Sequence, residues 1–247
     1  MKIVATIEAR MTSSRLPGKV LMYLLGRPAL EMMIERIKKS RYIDEIIIAT
    51  TTNKSDEKIV ELANSLGVSV HRGSEDDVLK RVLSAAESVN ADLLVKLTGD
   101  CPLIDPIIID QTITAHLSGD YDYTSNLLNE RTFAIGLDTE VLWLDTLKKV
   151  NDSTNEPMDR THVTCYIYHN PQHFRLNGIK ANAHNQSGDL RITLDTKDDY
   201  ELISKIFETL YPNNPNFGAK DIIKLLRSNP ELININSKVR QKKVEEL

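Results

Sequence analysis

Apolar positions in the first half of the chain alternate between two rhythms. Residues 3–7 form a short continuous apolar run, the pattern of a strand buried on both faces. Leu30, Met33, Ile34 and Ile37 then recur at i, i+3, i+4 and i+7, which places them on one helix face. Glu45–Thr51 is rich in β-branched residues and predicts a second strand. Ile59, Leu62, Ala63 and Leu66 mark the next helix, with Gly67 placed to stop it. Residues 68–71 predict a short strand. Val78, Leu79, Val82, Leu83 and Ala86 predict a third helix, residues 93–97 another buried strand, and Pro106–Leu117 a fourth helix.

This βαβαβαβ order predicts an α/β fold, a mostly parallel sheet with helices on both faces. Ligands in such sheets bind beyond the carboxyl ends of the strands. Three segments qualify: residues 8–19, the turn after Thr51, and the loop after Leu97. The second half is less regular. Residues 121–126, 138–142, 173–179 and 190–194 predict strands, and residues 158–168 a helix stopped by Asn170-Pro171. Lys197–Leu210 and Ala219–Ser228 predict closing helices. Residues 236–247 are polar and charged and read as a tail that leaves the body. The expected organisation is one domain over 1–235, with a ligand-binding half, 1–118, and a second half, 119–235.

Composition narrows the function. The chain has 247 residues, 41% of them hydrophobic and 27% charged, with a formal net charge of −4. A general nucleic-acid or anionic-membrane binder would be more basic. The tyrosines and phenylalanines do not interleave with basic residues as a nucleic-acid platform requires. No stretch approaches the roughly 20 apolar residues of a membrane span, and the apolar run at the N-terminus is far too short for a signal peptide. Two cysteines, Cys101 and Cys165, cannot build a disulfide framework and read as thiols of a reducing compartment. The expected location is the cytoplasm.

Residues 8–19 read Glu-Ala-Arg-Met-Thr-Ser-Ser-Arg-Leu-Pro-Gly-Lys. Arg10, Arg15 and Lys19 stand in a hydroxyl-rich turn directly after a buried strand. Backbone N–H groups in a tight turn, with cations opposing phosphate charge, suit a triphosphate. The spacing is neither a Walker loop nor a dinucleotide fingerprint. Asp100, beside Gly99 at the end of a buried strand, suits a divalent ion shared with substrate phosphates. Asp195 ends the predicted strand 190–194 and could reach the same ion. Alternatively, Asp195 or Thr196 simply caps the following helix.

Several stretches then match in order: IEARMTSSRLPGKVL from Ile7, ATTTN from Ala49, RGSEDDVLKR from Arg72, TGDCPLIDP from Thr98 and YDYTSN from Tyr121. GLDTEV from Gly136, DRTHVT from Asp159 and LRITLDTKDD from Leu190 continue the series. Over roughly residues 1–210 the chain resembles the cytidylyltransferase family, in the branch of spore-coat polysaccharide biosynthesis protein F. The synthetases of CMP-sialic acid and CMP-Kdo are relatives.

The resemblance implies a Rossmann-like, GT-A-like nucleotidyltransferase fold and transfer of CMP from CTP to an acidic sugar, with release of pyrophosphate. It implies that Arg10, Arg15 and Lys19 hold the phosphates, with Lys19, Arg15 and Asp100 catalytic. It implies further nucleotide contacts from Ala9, Ser14, Thr98 and Gly99. Thr51, Thr52 and Asn53, with Arg72, Gly73, Ser74, Asp76 and Asp77, would frame cytosine and ribose. Asp100 and Asp195 would bind Mg²⁺. The family is usually homodimeric, which assigns the second half to the acceptor and the partner subunit. Acceptor candidates are Asn126, Arg131, Asp138, Glu140, Arg160 and His162, with Arg160 as the carboxylate clamp. Three positions depart from the branch: Glu8 where Gln is usual, Thr12 where Gly is usual, and Thr161 where Glu is expected.

Other constellations read differently. His162, Cys165 and His169 fall at i, i+3 and i+7, with His173 following, but they lack the paired short spacings of a structural zinc site. The neighbouring Val163 and Tyr166 point to a packed helix. No G-x-S-x-G nucleophile elbow occurs. Two other functions stay open: a transferase using another triphosphate or a non-sugar acceptor such as a polyol phosphate or phosphonate, and a catalytically silent nucleotide-binding paralogue.

Overall fold

The computed structural model describes residues 1–128, 130–183 and 185–241. The remainder of the predicted tail, 242–247, lies outside the described residues. The chain begins with β1 (Ile3–Glu8), a small hairpin of β2 (Tyr23–Leu24) and β3 (Arg27–Pro28), and α1 (Ala29–Ile37). It continues with β4 (Glu45–Thr51), α2 (Glu57–Ser65), β5 (Ser69–Gly73), α3 (Val78–Ser88), β6 (Leu93–Thr98) and α4 (Pro106–Leu117). Every element predicted in this half is present. The hairpin is an addition that no hydrophobic period announces.

The main sheet has the order β5-β4-β1-β6-β8-β7-β9, where β7 is Tyr123–Ser125, β8 Glu140–Trp143 and β9 Leu176–Gly178. β5, β4, β1 and β6 are parallel, and β8 runs antiparallel to both β6 and β7. The predicted α/β class with a mixed, mostly parallel sheet is therefore the observed one. β1 has β4 on one side and β6 on the other, so the chain reverses its direction of growth there. The crevice at the carboxyl ends of β1 and β6 is the topological switch point at which open sheets bind ligands.

Strand pleat sorts β1 into two cores. Ile3, Ala5 and Ile7 pack with Leu30, Met33 and Ile34 of α1 and with Ile109 and Ile113 of α4. Val4 faces the other way, with Leu79, Val82 and Leu83 of α3 and with Leu147 of α5 (Leu144–Ser153). Burial on both faces explains why β1 and β6 read as continuous apolar runs. A third cluster joins Phe133, Leu137, Leu190, Ile192 and Leu194 to α8 (Lys197–Leu210) and α9 (Ala219–Ser228).

The second half departs from the pattern in several places. Predicted strands 121–126, 138–142 and 173–179 shorten or shift to β7, β8 and β9. Residues 190–194 form no strand and touch the predicted pattern only through an isolated bridge, Ile135 to Arg191. Their apolar side chains are buried against helices instead. The predicted helix 158–168 is two helices, α6 (Pro157–His162) and α7 (Cys165–His169), broken at Val163 with φ 54° and ψ −58°. A β-branched residue at positive φ is an outlier, held here by full burial of Val163 and by a hydrogen bond from the Thr164 hydroxyl to buried Glu140. α5 and α10 (Pro230–Ile235) were not visible in the apolar period.

The predicted tail does not leave the body at Asn236. That side chain is buried and donates to the Arg191 carbonyl (3.0 Å) and to Asp199 (2.9 Å). Among the described residues, no helix is long and apolar enough to cross a membrane.

Candidate active site

The loop after β1 is built by its neighbours. Gly18, at φ 73°, takes a left-handed turn that a side chain would resist, and its N–H donates to the Met11 carbonyl (2.9 Å). Fully buried Asp56 accepts from Met11 N (2.9 Å), Thr50 Oγ1 (3.0 Å) and Thr51 Oγ1 (2.6 Å). Burial acts to raise the Asp56 carboxyl, but those donors outweigh it and hold it below the usual carboxylate range. The turn after β4 thereby fixes the loop. Glu75 closes it from the other side, accepting from Arg10 Nη1 (3.1 Å), Asn53 Nδ2 (2.6 Å) and the Thr12 hydroxyl.

Lys19 lies at the centre. Its Nζ donates to Asp100 Oδ2 and to Asp195 Oδ1, both at 2.7 Å. Burial works to lower the Lys19 ammonium, but the two carboxylates more than offset this and raise it. Asp195 is also met by Arg15 (2.8 Å) and Arg191 (2.8 Å). Burial favours its neutral form, yet Lys19 first, then Arg15 and Arg191, hold it lowered and ionised. Two carboxylate oxygens converging on one cation are the hard donor set that a small divalent ion takes.

The competing reading of Asp195 as a helix cap is settled by its neighbours. Thr196 is the N-cap of α8 and forms a reciprocal capping box with Asp199. Asp199 is fully buried and anchors Arg191 (2.9 and 3.0 Å). Asp195 is left facing Lys19. Gly99 brings the second carboxylate into place: its N–H donates to the Glu8 carbonyl (2.8 Å), and a Cβ there would lie 2.9 Å from that oxygen.

These groups line a cleft of about 480 Å³ at the switch point. Ala9, Arg10, Ser14, Arg15 and Lys19 reach it from the loop after β1. Thr98, Gly99 and Asp100 reach it from β6, Asp195 from before α8, and His162 from α6.

Comparison with known proteins identifies the family. The Cytidylyltransferase family model matches residues 4–227. The chain belongs to the cytidylyltransferase family. It is therefore a nucleotidyltransferase. It is 41% identical to an uncharacterised protein of Methanocaldococcus jannaschii, over all of this chain and 99% of that one. It is 33% identical to the spore coat polysaccharide biosynthesis protein SpsF of Bacillus subtilis, over 93% of this chain and 95% of that one. It is 37% identical to a 3-deoxy-manno-octulosonate cytidylyltransferase of Solibacter usitatus, over 68% of this chain and 71% of that one. A solved cytidylyltransferase from Leptospira borgpetersenii superposes with a TM-score of 0.89 at 33% identity, covering 98% of this chain and 99% of that one.

Other sequence candidates of this cytidylyltransferase do not line the cleft. Thr51 and Asn53 act behind the loop, as described above. Arg72 pairs with Glu57 (2.6 Å) and donates to the Thr51 (3.0 Å) and Asn53 (3.0 Å) carbonyls, so it locks the β4 turn. Thr52, Gly73, Ser74 and Asp76 lie on the same rim, beyond the cleft lining. Asp77 caps α3 by accepting from Lys80 N (3.0 Å) and also receives Arg160 through two bonds (2.9 and 2.6 Å). The expected carboxylate clamp, Arg160, thus already holds a carboxylate of its own chain.

Asn126 is buried and bonds Leu137 O (2.7 Å) and Thr139 N (2.9 Å), bridging the approach to β8. Asp138 pairs with Arg131 (2.7 Å), yet burial raises its carboxyl. Glu140 lies deeper. It accepts from Lys96 (2.8 Å) and from Tyr123 Oη (2.6 Å). Lys96 also stands 3.3 Å from Glu8. The unusual acid at position 8 is therefore neutralised from below. Burial tends to lower Lys96, but Glu140 and Glu8 raise it well above the ordinary value.

Sequence reasoning assigned no site role to Ser13, Val20, Val78, Arg81 or Gln241, all of which line the cleft. Arg81 is buried and its Nε has no partner among the described residues, although it ends the RGSEDDVLKR stretch. Thr161 lines the cleft, as does Gln241, which accepts from Arg191. Gln241 carried no local signal, because only the return of the chain after α10 brings it there.

Proposed function

We propose that this cytidylyltransferase moves CMP from CTP to an acidic sugar and releases pyrophosphate. The observation that carries the reading is the cleft itself: Arg10, Arg15 and Lys19 line it together with Asp100 and Asp195, which both accept from Lys19. The cations suit a triphosphate, whose charge must be neutralised as it accumulates on the leaving group. The relatives named for polysaccharide biosynthesis and for 3-deoxy-manno-octulosonate support a sugar acid as acceptor.

In the proposed reaction an acceptor hydroxyl oxygen forms a bond to the α-phosphorus of CTP. The bond from that phosphorus to the bridging oxygen breaks, and pyrophosphate leaves with the electron pair. Arg15 and Lys19 stabilise the pyrophosphate. The hydroxyl proton passes to the His162 imidazole, which burial and then the Lys96 charge keep neutral near pH 7. Asp100 and Asp195 fit Mg²⁺ by donor type, and the bound ion would supply charge neutralisation at the phosphates. Buried Arg81 lines the cleft, which Arg160 does not, and is the better placed anion contact. A homodimer belongs to the same proposal and is tested by light scattering.

The deciding experiment incubates the chain with Mg²⁺, each of the four ribonucleoside triphosphates and a set of 3-deoxy sugar acids. Pyrophosphate release and product mass are read together. A CMP-sugar acid formed with CTP supports the proposal. Turnover only with neutral or phosphorylated acceptors, or only with another triphosphate, sinks it.

A further inference from the structure

The break at Val163 assembles a cluster that linear spacing does not show. On an unbroken helix, His162, Cys165 and His169 would share a face. The chain instead turns at Val163, and the third group brought to Cys165 and His169 is Asp159. One donor atom from each of Asp159, Cys165 and His169 lies within 4.8 Å of the others. Cys165 Sγ and His169 Nδ1 are 3.3 Å apart. Tetrahedral zinc, with bonds of about 2.3 Å to sulfur and about 2.0–2.1 Å to nitrogen, separates two such ligands by roughly 3.6 Å.

We propose that Asp159, Cys165 and His169 form a second cation site, selective for a borderline-soft divalent ion of the zinc class. A thiolate, an imidazole and a carboxylate make a mixed S, N, O set that Mg²⁺ does not favour and Zn²⁺ does. Supporting contacts orient two of the three donors. The Thr154 hydroxyl donates to Asp159 Oδ2 (2.7 Å), and the His169 ring packs edge-on to Tyr168 with centroids 4.9 Å apart. Asp159 and Cys165 are buried while His169 is exposed, so the ion enters from the His169 side and keeps a solvent position. A Cys-His-Asp nucleophile is the other reading of these residue types. It fits less well because Cys165 is fully buried, while one donor atom from each of the three residues lies within 4.8 Å of the others. The ion would brace the α6–α7 junction, the segment that presents Thr161 and His162 to the cleft.

The test uses the full chain with excess Mg²⁺, titrated with Co²⁺ and followed by absorption. Cobalt bound by Asp100 and Asp195 has only oxygen ligands and gives no thiolate charge-transfer band, so the two sites are distinguishable. The expected result is one equivalent of Co²⁺ producing a near-ultraviolet thiolate band, displaced by Zn²⁺. Cys165→Ser abolishes the band, and Cys101→Ser keeps it. His169→Ala, at an exposed position that the fold tolerates, weakens Co²⁺ binding at least about tenfold, and Asp159→Asn does likewise. No band in the wild-type chain, a band that survives Cys165→Ser, or affinity unchanged in His169→Ala or Asp159→Asn overturns the proposal.

Discussion

Lys19 and Asp195, 176 residues apart in sequence, meet at 2.7 Å inside the cleft. The contact closes the ring formed by the loop after β1, the end of β6 and the approach to α8. One ammonium satisfies two carboxylates, and everything that positions those three groups serves the same small volume.

Replacing Lys19 by Ala tests that relationship twice. Catalytic turnover should fall by about 10²–10³-fold, the loss of one preorganised charge contact of about 2.7–4 kcal/mol. Asp100 and Asp195 then face each other without their shared cation. Added Mg²⁺ should therefore raise the melting temperature of Lys19→Ala more than that of the wild type, as read by thermal shift. Equal Mg²⁺ responses in the two proteins would speak against a shared ion position.

Glu8→Gln should alter the rate by less than about tenfold, since the amide keeps the shape of this half-buried side chain and removes a charge that Lys96 opposes. Its acid is already countered by Lys96 at 3.3 Å. Lys96→Met should behave differently. It leaves Glu140 buried and uncompensated, at a cost of about 3–5 kcal/mol in stability. Chemical denaturation of the two variants checks the order.

The pH profile should report His162. Its pKa is lowered by burial first and by the Lys96 charge second. The neutral imidazole therefore persists below the ordinary value near 6.5, and the acid limb of kcat/KM should lie below that pH. His162→Gln should lower the rate by about 10²–10⁴-fold and remove the limb. A limb retained in the variant would assign the proton elsewhere.

Asp195 gives the complementary stability effect. Its folded pKa is held below the unfolded value, so its contribution is present above about pH 3.9 and is lost as pH falls through the lower folded value. Weakening the cations around it, as in Arg191→Met, should move acid unfolding to higher pH. Circular dichroism against pH measures the midpoint.

Arg160→Ala should act on stability before it acts on acceptor binding. The Arg160–Asp77 contact ties α6 to the N-terminus of α3 through two hydrogen bonds. Its loss should cost about 1–2 kcal/mol, reduced by partial exposure of the pair. A large rise in acceptor KM at unchanged melting temperature would instead restore Arg160 as the clamp.

The parallel half of the sheet and the loops at its carboxyl edge are legible in the local apolar pattern. Strands such as β1 and β6 are buried on both faces, so their apolar runs are unbroken and local. The cationic loop and Asp100 were legible for the same reason: each follows such a strand directly. The partner that each polar group finds depends on how distant segments pack. Arg160 could be read as a clamp until Asp77 was seen beside it, and Glu8 as a misplaced charge until Lys96 was. The helix over 158–168 looked continuous because its residues are helix-compatible. Burial of Val163 and the Thr164–Glu140 bond break it, and neither is a property of the local sequence. Segment 190–194 alternates like a strand but lies buried against α8 and α9 without a ladder. Apolar alternation specifies a buried face, while strand pairing depends on a neighbour that the rest of the fold must bring.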